Sequence, residues 1–181
     1  MLTTRRHSRR TAGTALVVAA LMLLLAAPAG AQGPPQTGSG TGTGVVTDIE
    51  EGDKIVLGRS GNWRQTRTLT GFVNEGPLAG EFVQTVTGVV RTDANFVTFH
   101  GTMDFTGTID GCDGEHKITL GVTGRGQANP PVTEASVHVI DSSSGHVTGR
   151  GTVSQFPPEQ LPTEVGDPIS LLTYDIQYIC R

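Results

Sequence analysis

Between Phe96 and Ile109 the chain alternates residue by residue. Val97, Phe99, Gly101, Met103, Phe105, Gly107 and Ile109 make one set, apolar or small. Phe96, Thr98, His100, Thr102, Asp104, Thr106 and Thr108 make the other, polar apart from Phe96. In an extended chain successive side chains point to opposite faces, so a period of two marks a strand with one buried face. At about 3.4 Å per residue such a strand approaches 50 Å, longer than a small domain, unless it bends. Gly101 and Gly107 lie on its apolar face, where a bend is easiest.

The rest of the chain follows the same rule. Strands are expected over 45–50, 54–58, 65–74, 80–91, 96–109, 115–125, 132–141, 146–156 and 170–180, with turn residues between them. No stretch of 45–181 repeats apolar residues at helical spacing for three turns. Most links are too short for a parallel crossover, so neighbouring strands should be antiparallel. Only 157–168 is long enough to pass over one end of a barrel. Val122-Thr123-Gly124-Arg125-Gly126 returns 25 residues later as Val147-Thr148-Gly149-Arg150-Gly151. Glycines at such places bend strands and help a sheet to close, which removes its exposed edges. The expected fold is all-β, a closed antiparallel barrel in one domain.

Before the domain come two segments of different character. Residues 1–31 read as a secretory signal peptide: Arg5, Arg6, Arg9 and Arg10, then an apolar run over 15–27, then Pro28-Ala29-Gly30-Ala31 as a small-residue cleavage site. The run is 13 residues, against roughly 20 needed to span a bilayer. The competing reading is an uncleaved anchor. Residues 32–44, QGPPQTGSGTGTG, contain no large apolar side chain and read as a flexible tether. The barrel domain is then 45–181.

Export shapes the expected partners. Cleavage would take four arginines and no acid, leaving 9 basic against 17 acidic residues and a formal charge of −8. An acidic secreted domain is soluble and not built to grip nucleic acid or anionic lipid. Cys112 and Cys180 are the only cysteines. An even pair in an oxidising compartment is most simply one disulfide, with free or metal-binding thiols as the alternative.

The run from Phe96 to Cys112 resembles that of small secreted actinobacterial barrels related to the allene oxide cyclase-like barrel. Gly124-Arg125-Gly126-Gln127-Ala128, the segment from Ser144 to Thr152 and Tyr178-Ile179-Cys180 fit the same type. The likeness spans roughly 63–181 and rests on strands, glycines and one cysteine pair. It implies an eight-stranded antiparallel barrel with an apolar interior, whereas the alternation gives nine strands, so one of the short early strands should be wrong. Enzymes of that superfamily steer or cyclise reactive apolar substrates. None of their catalytic positions can be matched here.

The residues themselves specify no chemistry. There is no Gly-x-Ser-x-Gly elbow. The stretch from Asp110 to His116 holds three acids, two glycines and a histidine, which suits either an oxygen-ligand calcium loop or a plain β-turn. His138, His146 and His100 offer a surface metal site only if the fold gathers them. Trp63, with Arg64 and Arg67 nearby, suits a barrel end, a lid or an interaction point. Arg125 and Arg150 should make weak surface ion pairs. Polar residues in phase with apolar neighbours are more telling: Gln84, His116, Tyr174 and Tyr178. A few polar groups in an apolar cavity is how small-molecule sites are usually built. A ligand inside the barrel would fall to Gln84, Phe99, Met103, Phe105, His116 and Tyr174. The leading expectation is an exported barrel that binds a small apolar ligand or a surface partner. An isomerase or cyclase acting in the cavity is the alternative, and a packed envelope barrel with no ligand is the third. No metal or cofactor is implied, and the oligomeric state is not legible.

Overall fold

In the computed structural model the 96–109 run is one continuous strand, Phe96–Ile109, with the expected inner face. Met103, Phe105, Gly107 and Ile109 are buried, and Thr98, His100, Thr102, Asp104 and Thr108 are exposed. The structure describes residues 34–129, 131–143, 146–156 and 169–181. The expected signal peptide, Gln32, Gly33, Pro130, Ser144, Gly145 and the long 157–168 connection lie outside the described residues.

Nine strands follow one another: β1 (Gln36–Glu51), β2 (Ile55–Leu57), β3 (Asn62–Glu75), β4 (Leu78–Arg91), β5 (Phe96–Ile109), β6 (His116–Ala128), β7 (Pro131–Ser142), β8 (Val147–Phe156) and β9 (Ser170–Cys180). From β3 to β9 each pairs antiparallel with the next. β9 pairs with β1, and β1 pairs with β3, closing an eight-stranded antiparallel barrel. The described residues contain no helix. The two expected strand numbers are thereby reconciled. β2 is a true strand, but it extends β1's place along β3, pairing with Asn62, Trp63 and Arg64 where β1 has ended.

The tether needs correction. From Gln36 onward the expected flexible segment is the first half of β1, in register with β9 from Gln36↔Cys180 to Gly44↔Leu172. Its inward positions are glycines covered by side chains of the neighbouring strand: a Cβ on Gly38 would strike the Tyr178 ring, and one on Gly42 the Tyr174 ring. The buried apolar surface that the segment lacks is supplied by its partner.

The same device recurs. Gly38, Gly42, Gly71 and Gly124 stand directly opposite Tyr178, Tyr174, Phe82 and Phe99, and each ring lies over its glycine. Gly101 and Gly107 serve differently, since a Cβ there would meet the carbonyl oxygens of Thr85 and Ala79 on β4. The backbones of β4 and β5 approach so closely at these points that only glycine fits, which lets the long strand coil.

The core fills the barrel's middle. Phe82 and Phe105 are paired across β4 and β5 and are each 2% exposed. One end carries the Cys112–Cys180 disulfide, Cα atoms 5.8 Å apart, linking the β5–β6 turn to the end of β9. The other end carries Trp63 and the start of β3.

Candidate functional site

Two internal chambers lie along the barrel. The smaller, about 60 Å³, is nearer the disulfide and is lined by Met103, Phe105, Ile118, Leu172 and Tyr174 among others. The larger, about 150 Å³, opens toward Trp63 and has Leu69, Val97 and Phe99 in its wall. Gln84 and Met103 are directly paired on β4 and β5, and each lines a different chamber. This pair marks the boundary between the two.

The chambers differ in chemistry. The smaller is walled almost wholly by hydrocarbon and aromatic groups. The larger adds four glutamines, Gln65, Gln84, Gln127 and Gln155. Gln65 is held at both ends of its amide: Nε2 donates to the Gly52 carbonyl at 2.9 Å, and Oε1 accepts from Arg67 Nε at 3.2 Å. Arg67 in turn pairs with Glu51 at 2.7 Å. Both of these side chains are about half exposed, so the pair fixes geometry more than it adds stability. Gln155 Nε2 donates to the buried Ser170 hydroxyl at 2.8 Å. Gln84 sits between Leu69 and Met103, two apolar register partners, and is buried in the wall of the chamber.

The six expected ligand contacts do not converge. Gln84 and Phe99 belong to the larger chamber. Met103, Phe105 and Tyr174 belong to the smaller. His116 lines neither; it is buried at the start of β6 with no hydrogen-bond partner for either ring nitrogen. The Tyr174 and Tyr178 hydroxyls are committed to structure, donating to the backbone carbonyls of Glu75 at 2.7 Å and Asp110 at 2.8 Å. Burial raises both phenol pKa values, with the nearby Asp110 charge adding to it in each case.

Gln65, Gln127 and Gln155 escape the sequence reading as site residues, although for Gln65 a signal is present. Gln65 and Arg67 share parity with Trp63, Leu69 and Val73, so continuing the alternation back along β3 places them inside. Gln127 and Gln155 lie near strand ends, where periodicity fades. Trp63 is partly buried, lines the larger chamber and carries the Lys54 ammonium 4.4 Å from its ring centroid.

The surface expectations also resolve. His138 faces Arg150 across β7 and β8, while His100 faces Thr87 and Thr123, so these histidines are not gathered. Among the described residues no three metal-ligating side chains come together. Cys112 and Cys180 are joined, and the loop before His116 is a turn in which Gly111 and Gly114 take positive φ. Arg125 and Arg150 do not form the expected ion pairs: among the described residues the one ion pair within 4.0 Å is Arg67–Glu51. Strand pairing sets Arg125 beside Glu134, but their charged ends stay apart in water. No known family model matches the chain, and no curated protein matches it.

Proposed function

We propose that this protein is an exported binding barrel that holds a small, mainly apolar molecule carrying one polar group. The observation that carries this reading is the 150 Å³ chamber, lined by Leu69, Val97 and Phe99 together with the buried Gln84. A cavity of about that size takes a benzene-sized guest, well below the roughly 300 Å³ of an ordinary drug-like site. The amide would orient the guest and the wall would supply the affinity. The disulfide supports the export part of the reading, because such bonds persist in oxidising compartments. An isomerase that moves a proton would need an acid or base at the substrate, and the chamber's buried polar lining is glutamine, so the enzymatic reading left is a cyclisation steered by the shape of the cavity.

The test is native mass spectrometry of the protein from a secreting host, before and after organic extraction, joined to calorimetric titration with p-cresol. Wild type is expected to carry an extractable small molecule or to bind the probe, and Phe99→Trp, which fills the chamber, to do neither. Equal binding by wild type and Phe99→Trp, or none by wild type, removes the chamber as the site.

A further inference from the structure

Residues 51–60 are all exposed, and they include the whole of β2. Ile55, Val56 and Leu57 are 47%, 64% and 36% exposed. Three consecutive aliphatics this open to water bury much less apolar surface than core residues do, and such runs mark a contact surface. β2 pairs only with β3, its other edge is unpaired among the described residues, and the strand returns through Gly58 and Gly61, both at positive φ. The result is a hairpin projecting from the rim.

Its two faces are alike in character. Lys54, Val56 and Trp63 share one, and Ile55, Leu57 and Arg64 share the other, by strand parity and the register Val56↔Trp63 and Ile55↔Arg64. With Arg59 in the turn, residues 53–64 hold three cations against the single acid Asp53. The whole chain has a formal charge of −4. The hairpin is thus a locally basic, apolar tip on an acidic protein.

We infer that the β2–β3 hairpin docks this protein onto an anionic lipid surface, with Ile55, Val56, Leu57 and Trp63 entering the acyl boundary and Lys54, Arg59 and Arg64 at the phosphates. The shape favours lipid over a folded partner. A groove on a protein covers one face of a projecting strand, whereas a fluid bilayer surrounds both. Tryptophan prefers this interfacial level, and weak apolar insertion joined to cationic attraction is how reversible surface attachment is usually built. The inference is independent of whether the chamber is occupied.

Trp63 is the chain's sole tryptophan and also lines the larger chamber, so its emission is read together with sedimentation, which entry of a guest into the chamber does not produce. The full chain is mixed with phosphatidylcholine vesicles, with and without phosphatidylglycerol, and with brominated acyl chains as quencher. Residues 1–31 carry four arginines and an apolar run but no tryptophan, and can bind anionic vesicles themselves, so the hairpin is read from the Trp63 signal and from the difference between wild type and variants. The expected result is co-sedimentation with the anionic vesicles, a blue shift and bromine quenching. Ile55→Asp with Leu57→Asp should weaken partitioning by about tenfold or more. Arg59→Gln and Arg64→Gln should each weaken it about fivefold. All four positions are exposed, so unchanged thermal melting shows that the variants remain folded. Partitioning equal in wild type and the aspartate variant, or none, overturns the inference. So does a Trp63 shift that follows protein concentration without lipid, since that reports a second copy pairing along the β2 edge.

Discussion

The Tyr174 hydroxyl both accepts from the Leu78 N–H, at 3.2 Å, and donates to the Glu75 carbonyl, at 2.7 Å. One side chain on β9 thereby satisfies both sides of the β3–β4 turn, which is bent at Gly76 with φ of 91°. Tyr178 does a similar service at the β5–β6 turn through Asp110. The last strand is fastened to two turns by the only two tyrosines of the chain. Tyr174→Phe leaves the Glu75 carbonyl and Leu78 N–H without this partner. It is expected to cost about 1–3 kcal/mol in urea unfolding, with the chamber that contains Gln84 unaffected.

The same phenols set an alkaline limit. Both pKa values are raised above 10.0, burial being the largest cause. For Tyr174 the Leu78 backbone hydrogen bond works against the rise and the Asp110 charge adds to it. The folded state therefore holds these protons more tightly than the unfolded chain. Below pH 10 the contribution is fully present, and it is lost as pH rises through the folded-state values. Melting temperature measured across this window should fall more steeply in wild type than in the Tyr174→Phe, Tyr178→Phe double variant. Parallel slopes would remove the tyrosines as the cause.

The disulfide fastens the same region a second time, because Cys112 and Cys180 lie two residues beyond Asp110 and Tyr178. It closes a loop of 68 residues, which the loop-entropy account values at about 4 kcal/mol. Cys112→Ser with Cys180→Ser should lower the melting temperature by about 10 °C in a domain of this size. A loss of only a degree or two would mean that the two elements stay close in the unfolded ensemble without the bond.

How far the sequence disclosed this molecule depends on which residue fills the inner face. In β5 that face is Val97, Phe99, Met103 and Phe105, and the alternation shows it at once. In the first half of β1 it is Gly38, Gly40, Gly42 and Gly44, with Thr and Ser outside. The period of two is present there, but hydrophobicity does not carry it, and the segment reads as a tether. The rings that cover Gly38 and Gly42 belong to β9, more than a hundred residues away, while Gly40 meets Pro77 and Gly44 meets Val73, and no local pattern announces them. The chamber was half legible for a related reason. Gln84 stands out between Phe82 and Val86, whereas Gln65 and Arg67 sit in a β3 stretch whose inner and outer residues are both polar.

These ring-on-glycine pairs are testable singly. Gly38→Ala puts a methyl group into the Tyr178 ring, and Gly124→Ala puts one into Phe99. Overpacking of this kind costs about 1–3 kcal/mol. Ser39→Ala, on the exposed face beside Gly38, should stay within about 0.5 kcal/mol. Gly124→Ala carries an extra consequence, because Phe99 lines the larger chamber. Its displacement should weaken p-cresol binding, while Gly38→Ala, at the opposite end, should reduce stability and leave binding unchanged. Calorimetry alongside urea melts separates the two.

His116 makes the opposite prediction, a gain from removing a polar group. Its ring is 8% exposed, on the inner face of β6 two residues before the buried Ile118. Both ring nitrogens are buried without a hydrogen-bond partner. Folding strips water from these atoms and returns nothing, a penalty of about 1–3 kcal/mol. His116→Leu replaces the two unpartnered nitrogens with hydrocarbon of similar volume but different shape. The net expectation is a stabilisation of about 1 kcal/mol in urea unfolding, with p-cresol binding unchanged because His116 lines neither chamber. Destabilisation instead would show that the imidazole meets a partner in solution, and a hydrogen-exchange or imidazole NMR measurement at that nitrogen would identify it.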